Sequence, residues 1–417
     1  MNSSRETPSF APPVQQGGAV AVGLSPFIGS RGNNLDSVRQ HNLSVVLGIV
    51  HRGGPASRSA LTQSTGLNRS TIGALVGELV ELKLVVETEP EASNRVGRPS
   101  PVIIANSRVV AIAVNPEIDA ITVGIVGLDG TLHQRVRFPT DHVPGAAEAV
   151  TIVSAIIDGL RPMLESFERV LGIGVAVPGL VRASDGLVRL APHLEWVDEP
   201  FTTMLEDATG IRVSAANDAR LGANAERLFG AGRDTSNLVY VNGGASGIGT
   251  GVIVDGRPLT GTDGYAGEFG HTLVNSNGLR CHCGAIGCLE TEVSQSLLLR
   301  VLGIKGGDLD ELDRALAAAN SVSVTAEVER QLSFLAVALR NATNIFNPQL
   351  IVLGGFLGSL LAAVPDRLTE LVASQALAAS VESLKIVRAE LGTKLLMVGA
   401  AELAFASVLE NPAAFAQ

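Results

Sequence analysis

The 417-residue sequence has very little cysteine: three residues in all, Cys281, Cys283 and Cys288, grouped in one short segment. An odd number at this tight spacing argues against a disulfide framework, because one bridge would leave a free thiol. Gly284 and Gly287 would let the loop fold around an ion. The spacing therefore favours a metal site, and reduced thiols point to a cytoplasmic location.

A structural zinc is typically held by four nitrogen or sulfur ligands in a tetrahedron. There is no fourth cysteine, so a histidine must complete a site built from protein alone. His271 and His282 are the two candidates. His282 lies between two thiols on a Cys-x-Cys turn, where its side chain is predicted to point away from them. The sequence thus favours a structural zinc held by His271, Cys281, Cys283 and Cys288.

Two carboxylates, Glu268 and Glu290, flank this segment. The metal needs neither, and both can accept hydrogen bonds from hydroxyls. The string GEFGH followed by CHCGAIGCLE resembles the signature of the ROK family, which holds repressors, open-reading-frame proteins and sugar kinases. The resemblance implies that His271 both binds zinc and contacts a sugar. It also implies that Glu268 and Glu290 bind sugar hydroxyls.

Aromatic residues are also scarce, at 4%, whereas glycine is abundant with 46 residues. This balance suits an α/β fold with tight turns, and the length predicts two or three domains. The resemblance implies a winged helix-turn-helix followed by a two-lobed, actin-like (ribonuclease H-like) sugar-kinase fold. The expected boundaries are a disordered tail at 1–34, a DNA-binding domain at 35–103 and a ROK domain at 104–417. Within the last, the first lobe is about 104–225 plus the C-terminal helix, and the second is about 226–395.

The sequence lacks an excess of basic residues and a secretion signal. The net charge of −10 argues against general coating of nucleic acid, but a small DNA-binding module remains compatible because the relevant charge is local. The N-terminus has no basic start followed by an apolar core. The uncharged segment 341–365 contains Pro348 and Gly354-Gly355, which predict strand, turn and helix rather than a membrane span.

Residues 35–82 predict a helix-turn-helix. Ser57 can cap a short helix that ends near Thr65, Gly66 provides a turn, and Asn68 can cap a second helix over Arg69–Leu82. In this motif the start of the second helix meets base edges in the major groove. The candidate DNA contacts there are Asn68, Arg69, Ser70 and Thr71.

A β-hairpin is predicted to follow from Leu84, with Arg95 and Arg98 on a wing that can read a narrow minor groove. The alternative is a small helical interaction domain with ordinary surface polar residues. The basic wing and the position ahead of a ROK-like body favour operator DNA as the partner. Acidic residues nearby, such as Glu87, predict modest affinity per monomer and hence a homodimer or homotetramer.

Asn217 and Asp218 lie at the end of a predicted strand. The resemblance implies that Asn217 contacts sugar and that Asp218 matches the base of ROK kinases. The alternative is a helix N-cap, which is compatible with sugar contact. The first phosphate turn of ROK kinases reads Asp-x-Gly-Gly-Thr, but here it reads Asn115-Pro116-Glu117-Ile118-Asp119. Two carboxylates facing a triphosphate would repel it by about 4 kcal/mol each.

The favoured hypothesis is therefore a sugar-responsive transcriptional regulator, a repressor of carbohydrate-utilisation genes, in which Asp218 is a vestigial catalytic residue. The alternative is an ATP-dependent sugar kinase with an added DNA-binding head. A third hypothesis, a zinc-stabilised scaffold that has lost its ligand, is disfavoured because every matched sugar-site residue is present.

Overall fold

The computed structural model describes residues 35–88, 101–305 and 309–415. Backbone contacts divide the chain into two units, Met1–Arg39 and Gln40–Gln417. Of the first unit only the start of one helix is described, so the account below concerns the second. The predicted tail at 1–34 and the wing residues Arg95 and Arg98 lie outside the described residues.

The second unit begins with helices and a small sheet, here called the head (described residues 40–88 and 101–105). Its elements are α1 (Leu35–Gly53, shared with the first unit), β1 (Ala56–Ser57), α2 (Arg58–Thr65), α3 (Arg69–Glu81), β2 (Val85–Thr88) and β3 (Val102–Ala105). The Ser57 hydroxyl accepts from the Ala60 amide at 3.2 Å, and Asn68 Oδ1 accepts from the Thr71 amide at 2.8 Å. Gly66, with φ of 70°, ends α2 in the left-handed region. The predicted caps are confirmed.

Helix α3 buries the side that its sequence pattern predicts, namely Ile72, Leu75, Val76 and Leu79. Strands β2 and β3 then pair antiparallel, with Val85 opposite Ala105 and Thr88 opposite Val102. Strand β1 pairs with the other edge of β3. The head is thus a pair of capped helices beside a three-stranded sheet.

The rest of the unit, here called the body (109–415), contains two five-stranded sheets. The first half comprises β4 (Val109–Pro116), β5 (Ala120–Gly127), β6 (Leu132–Pro139), α4 (Ala146–Leu164), β7 (Arg169–Val177), β8 (Leu180–Val181), β9 (Val188–Ala191), β10 (Trp196–Glu199), α5 (Phe201–Thr209), β11 (Val213–Asn217) and α6 (Asp218–Phe229). Strands β4 and β5 are buried along their whole length, in keeping with their largely apolar sequences.

The second half comprises β12 (Leu238–Gly244), β13 (Gly247–Val254), β14 (Arg257–Pro258), α7 (Leu289–Glu292), α8 (Gln295–Leu302), α9 (Leu309–Ala318), α10 (Val322–Phe346), β15 (Leu350–Gly354), α11 (Gly355–Ala363), α12 (Pro365–Ala373), α13 (Ala378–Val381), β16 (Lys385–Arg388) and α14 (Leu395–Glu410). Short 3₁₀ helices lie at Pro192–Leu194, Phe269–His271, Gly392–Lys394 and Pro412–Phe415.

The two sheets share one topology. Their orders are β6-β5-β4-β7-β11 and β14-β13-β12-β15-β16. In each, three antiparallel strands are followed by two strands added in parallel. The body therefore contains the same sheet arrangement twice.

One helix among the described residues is long and apolar enough to cross a membrane, Gly392–Glu410, which includes α14. It packs against β4, β7 and α6 and more than half of it is buried, as in a core helix of the body. The uncharged segment 341–365 contains the predicted strand and helix, β15 and α11, but it begins with the end of α10, which was not predicted.

The head and the body share one hydrophobic core. Leu47 of α1 and Ile72 of α3 belong to the same buried cluster as Ala111 of β4 and Phe405 of α14. His51 of α1 is also buried. Its Nε2 lies 3.0 Å from Glu402 Oε1 of α14, and its Nδ1 lies 2.5 Å from the Leu128 carbonyl oxygen. The end of α1 is therefore fixed to the body by both apolar and polar contacts.

Candidate functional site

The main cavity of the body has a volume of about 420 Å³. It is lined by the five residues predicted to contact sugar, which are Asn217, Asp218, Glu268, His271 and Glu290. Residues that the sequence reasoning did not select also line it, namely His193, Asn242, Ser246 and His282. A cavity of this size fits a small molecule. Polar side chains from four separated segments thus converge on one space.

Asn217 and Asp218 are positioned by the junction of β11 and α6. Asn217 Oδ1 caps α6 by accepting from the Arg220 amide at 2.9 Å, and its Nδ2 donates to the Gly179 carbonyl at 3.1 Å. The side chain is therefore both the helix cap and part of the cavity wall, with one Nδ2 hydrogen left for a ligand. Asp218 Oδ1 accepts from the Ala219 amide at 2.7 Å, which fixes its carboxyl group.

Two carboxyl groups in the cavity, those of Asp218 and Glu268, have a raised pKa. Burial, reinforced by the nearby carboxylate of Glu268, raises the pKa of Asp218 to about 7. Burial also raises the pKa of Glu268, and the charge of Glu290 adds to this effect. Near neutral pH the Asp218 carboxyl group can therefore either donate or accept a hydrogen bond.

Glu290 connects the cavity to the cysteine loop. Its Oε1 lies 3.0 Å from Cys281 Sγ, 3.4 Å from His271 Nδ1 and 3.1 Å from His282 Nδ1. The opposite wall approaches closely at Gly247, where φ is 107° and an added Cβ would lie 2.5 Å from Glu290 Oε2. A side chain at position 247 would displace Glu290 from the cavity.

The predicted metal ligands meet in space. The ligand atoms of His271, Cys281, Cys283 and Cys288 all lie within 4.8 Å of one another. Cys281 Sγ is 3.6 Å from His271 Nδ1, and Cys283 Sγ is 3.6 Å from Cys288 Sγ. Zn–S bonds of about 2.3 Å in a tetrahedron place neighbouring sulfur atoms about 3.8 Å apart. The three thiols and one imidazole therefore fit a four-coordinate divalent metal ion.

The backbone of this loop depends on its glycines. Gly284 has φ of 95° and closes a turn by donating to the Cys281 carbonyl at 3.0 Å. Gly287 has φ of 73°, and an added Cβ would lie 1.6 Å from the Asn275 carbonyl oxygen. Neither position accommodates a side chain without strain. The conformation of the loop therefore depends on both glycines.

The thiols differ in acidity. Burial raises the pKa of Cys281 and of Cys288, whereas a hydrogen bond from the Ala285 amide lowers the pKa of Cys283. Because thiolates bind metal, all three thiols must lose a proton on metal binding, and burial makes this less favourable for Cys281 and Cys288.

The predicted orientation of His282 is wrong. Its Nδ1 lies 3.8 Å from Cys281 Sγ, and its ring packs edge-on against His271 at a centroid distance of 5.0 Å. The Cys-x-Cys segment is a turn and not an extended strand, so successive side chains do not alternate between opposite sides. His282 also contacts the ring of His193 at 5.5 Å, which places both imidazoles in the cavity wall.

The turn predicted to stand in place of the kinase phosphate loop includes Glu117–Asp119, between β4 and β5. A second cavity, of about 280 Å³, is lined by Asn115, Glu117, Arg135 and Arg388. Burial raises the pKa of Glu117. Asp119 instead pairs with Arg137 at 2.9 Å and is 66% exposed. Glu117 but not Asp119 lines this cavity, and Arg137, 3.9 Å away, and Arg135 partly offset its charge.

The start of α3 presents the predicted DNA-contacting residues. Asn68, Arg69 and Ser70 are exposed, and Thr71 is half-buried. Asn68 Oδ1 is already occupied, because it accepts from the Thr71 amide and from the Ser70 hydroxyl at 2.7 Å. Arg69 is thus the exposed side chain at this helix start that capping does not constrain.

Known proteins resemble the chain over most of its length. The model of the ROK family matches residues 112–407. The xylose repressor of Bacillus subtilis strain 168 is 29% identical over 320 residues, covering 76% of this chain and 82% of the repressor. The crystal structure of a ROK family transcriptional regulator, a homolog of the E. coli MLC protein, is 25% identical with a TM-score of 0.75. It covers 91% of this chain and 99% of that one.

A solved kinase is similar over a shorter part. The ROK family glucokinase from Streptomyces griseus, in complex with glucose and AMPPNP, is 25% identical with a TM-score of 0.59. It covers 70% of this chain and 98% of its own. The fold is thus the mixed α/β fold shared by ROK regulators and ROK sugar kinases. The chain belongs to the ROK family.

Proposed function

We propose that the chain is a sugar-responsive transcriptional repressor that binds operator DNA through its head and a monosaccharide or sugar derivative in the main cavity. The observation that carries the proposal is the extent of the similarity. The ROK regulator covers 91% of this chain, whereas the glucokinase covers 70% although it aligns over nearly its whole length. The relative named as a xylose repressor supports the same assignment.

The domains follow from this proposal. Residues 35–103 are a winged helix-turn-helix, and residues 104–417 are the ROK domain. Within the latter, the first lobe is about 104–225 plus the C-terminal helix, and the second is about 226–395. Residues 1–34 are a disordered tail. The capped α2 and α3 and the pairing of β2 with β3 support the first boundary, and the two sheets of equal topology support the lobes.

The effector binds in the main cavity. Asn217, Asp218, Glu268, His271 and Glu290 hold its hydroxyls by hydrogen bonds, and Asp218 has no catalytic part. Each of these side chains lines the cavity and offers oxygen or nitrogen atoms suited to hydroxyl groups.

A structural zinc is held by His271, Cys281, Cys283 and Cys288. When bound, the metal closes the loop between the Phe269–His271 turn and α7. It thereby fixes Glu290, which lies two residues beyond Cys288. The soft donor set and its tetrahedral spacing support zinc over calcium or magnesium.

Asn68, Arg69, Ser70 and Thr71 read base edges, and Arg95 and Arg98 contact the minor groove. The hydrogen bonds that cap α3 orient the side chains of Asn68 and Ser70. Arg69 is exposed and is not held by the cap. The protein forms a homodimer or homotetramer, in which two heads bind the two half-sites of one operator. The protein works in the cytoplasm, where it shares a compartment with DNA.

The second candidate function is an ATP-dependent sugar kinase with an added head. Arg135 in the second cavity favours it because it supplies positive charge for a nucleotide, whereas Arg388 there is already paired with Asp313 at 2.7 Å. The turn at Asn115–Asp119 opposes it. Pro116 has no amide hydrogen, and the turn has no glycine to let the backbone approach a phosphate.

The test combines selection of DNA with an assay of turnover. Full-length, metal-replete protein is used to select duplexes from a random library, and the same preparation is assayed with ATP, magnesium and a panel of hexoses. We expect one recurring, two-fold symmetric sequence and no sugar phosphorylation. Turnover that is abolished by D218N, without an enriched duplex, would establish the kinase instead.

A further inference from the structure

A separate charged cavity lies where the end of α1 meets the end of α6. It has a volume of about 540 Å³ and is lined by Arg52, Arg227 and Arg233. Arg52 belongs to the last turn of α1, and Arg227 to the last turn of α6. Arg233 follows in the loop after α6. None of these residues belongs to the proposed sugar, metal or DNA sites.

The three arginines lack a matching negative charge. Within the described part of the chain none of them forms an ion pair. Arg52 Nε donates to the Gly48 carbonyl at 3.1 Å, and Arg227 Nη2 donates to Asn224 Oδ1 at 3.3 Å, so both acceptors are neutral. Arg227 Nε is buried without a hydrogen-bond partner among the described residues. A buried guanidinium donor with no acceptor is costly, and a bound anion would satisfy it.

The surroundings leave the cavity positive. Burial lowers the pKa of Arg227, and repulsion from Arg52 lowers it further, while Glu402 acts in the opposite direction. The Glu402 carboxylate is already engaged by His51 at 3.0 Å. Asp234 is the one carboxylate in the wall, and it is exposed. Three guanidinium groups therefore face one carboxylate.

The cavity wall is held in place by a buried carboxylate. Glu226 accepts hydrogen bonds from the amides of Ala231 at 2.8 Å, Glu390 at 3.0 Å and Leu391 at 2.9 Å. These bonds fix the turn that leads from α6 to Arg233. The site is consequently preorganised, which lowers the cost of ordering it around a ligand.

We propose that this cavity binds the phosphate group of a small metabolite, as inorganic phosphate or as a phosphate monoester. Guanidinium groups match phosphate because their N–H donors pair with its oxygens in a forked geometry. The volume is in the range of small-molecule sites. A recess between two helix ends suits a small ligand better than the backbone of duplex DNA, which meets proteins on a broad surface.

A ligand in this cavity would contact both the head and the body. Helix α6 begins at Asn217 and Asp218 in the main cavity and ends at Arg227, while Arg52 follows the buried His51 on α1. A phosphate that bridges Arg52 and Arg227 ties the head to the helix that carries two sugar-site residues. This regulatory consequence rests on the proposed function, whereas the binding of phosphate does not.

Calorimetric titration of the full-length protein with inorganic phosphate, at ionic strength held constant with chloride, tests the site. We expect saturable binding that weakens about tenfold or more in the double variant R52Q/R227Q, because charge-assisted hydrogen bonds are lost. The matched control R257Q, which removes an arginine next to Gly256 in the cavity wall, should bind as the native chain does. If R227Q does not fold, the exposed variants R52Q and R233Q replace it, each with weaker binding expected.

Absence of saturable binding, or equal affinity in the native and R52Q/R227Q proteins, would overturn the proposal. Titration with 3-phosphoglycerate distinguishes the sources, since tighter binding than inorganic phosphate assigns the site to a monoester. Non-specific duplex DNA provides a further arm. If the native protein does not bind phosphate, and the DNA affinity of R52Q depends less steeply on salt concentration than that of the native protein, these arginines contact DNA instead.

Discussion

His271 and His282 both lie beside Cys281, with ring nitrogens 3.6 and 3.8 Å from its sulfur. Two sets of four metal ligands are possible there. One consists of the three thiols and His271, and the other consists of His271, Cys281, His282 and Glu290. The first is favoured because three thiolates suit zinc better than one thiolate with a carboxylate. The second would remove Glu290 from the sugar cavity.

Substitution of each histidine separates these two arrangements. H271Q should reduce zinc from about one ion per chain to nearly none, because it removes a ligand from a four-coordinate site. H282Q should retain the metal. Atomic absorption on proteins purified without chelator measures both, with C283S as the metal-free reference. Loss of zinc in H282Q with retention in H271Q would contradict the assignment.

Asp218 provides a second test at the residue scale. Its pKa rises from 3.8 to about 7 on folding, so the folded state binds a proton more readily and stability falls as pH rises through that window. The charged form costs on the order of 4 kcal/mol above pH 7. D218N should therefore unfold at a higher temperature than the native protein at pH 8, with a smaller difference at pH 5.

Scanning calorimetry at both pH values makes this comparison. D207N, which removes an exposed carboxyl group on α5, should show no such pH-dependent gain. A D218N protein that is less stable than the native chain at pH 8 would mean that a charged Asp218 is stabilised within the cavity.

At the scale of elements, α3 carries the DNA-reading proposal. R69A should weaken binding to the selected duplex by about 1–3 kcal/mol, since Arg69 lies exposed at the start of this helix. K83A is the matched control, because Lys83 pairs with Glu168 of the body at 2.6 Å. It follows the far end of α3, about 20 Å from Arg69. Fluorescence anisotropy measures both, and equal losses in the two variants would contradict base reading by the start of α3.

The elements show what the sequence alone could predict. The caps at Ser57 and Asn68 are local signals, since each side chain bonds to an amide three residues ahead, and they were read correctly. The close spacing of the three cysteines, which predicts the metal site, is also a local signal in the sequence. His193 and Asn242 could not be found in this way, because only the packing of distant segments brings them into the cavity. The ion pair of Asp119 with Arg137 could not be predicted either, because it depends on the pairing of β5 with β6.

At the scale of the whole molecule, residues from both halves of the body line the main cavity, and one continuous core joins the body to the head. Helix α14 takes part in this connection, since Phe405 packs in the shared core and Glu402 contacts His51 of the head. Burial lowers the proton affinity of His51, but the charge and hydrogen bond of Glu402 outweigh it, so the pKa is raised. A sugar that moves the lobes would therefore also move α1.

The central claim is that the sugar cavity controls the head. The most direct measurement is the affinity of the zinc-loaded protein for its selected duplex, with and without a saturating monosaccharide, in the native chain and in E290Q. We predict a change of about 5- to 150-fold in the native protein, corresponding to a coupling of about 1–3 kcal/mol. E290Q should keep the sugar-free affinity and lose the response. A sugar that binds the native protein and leaves its DNA affinity unchanged would contradict the account.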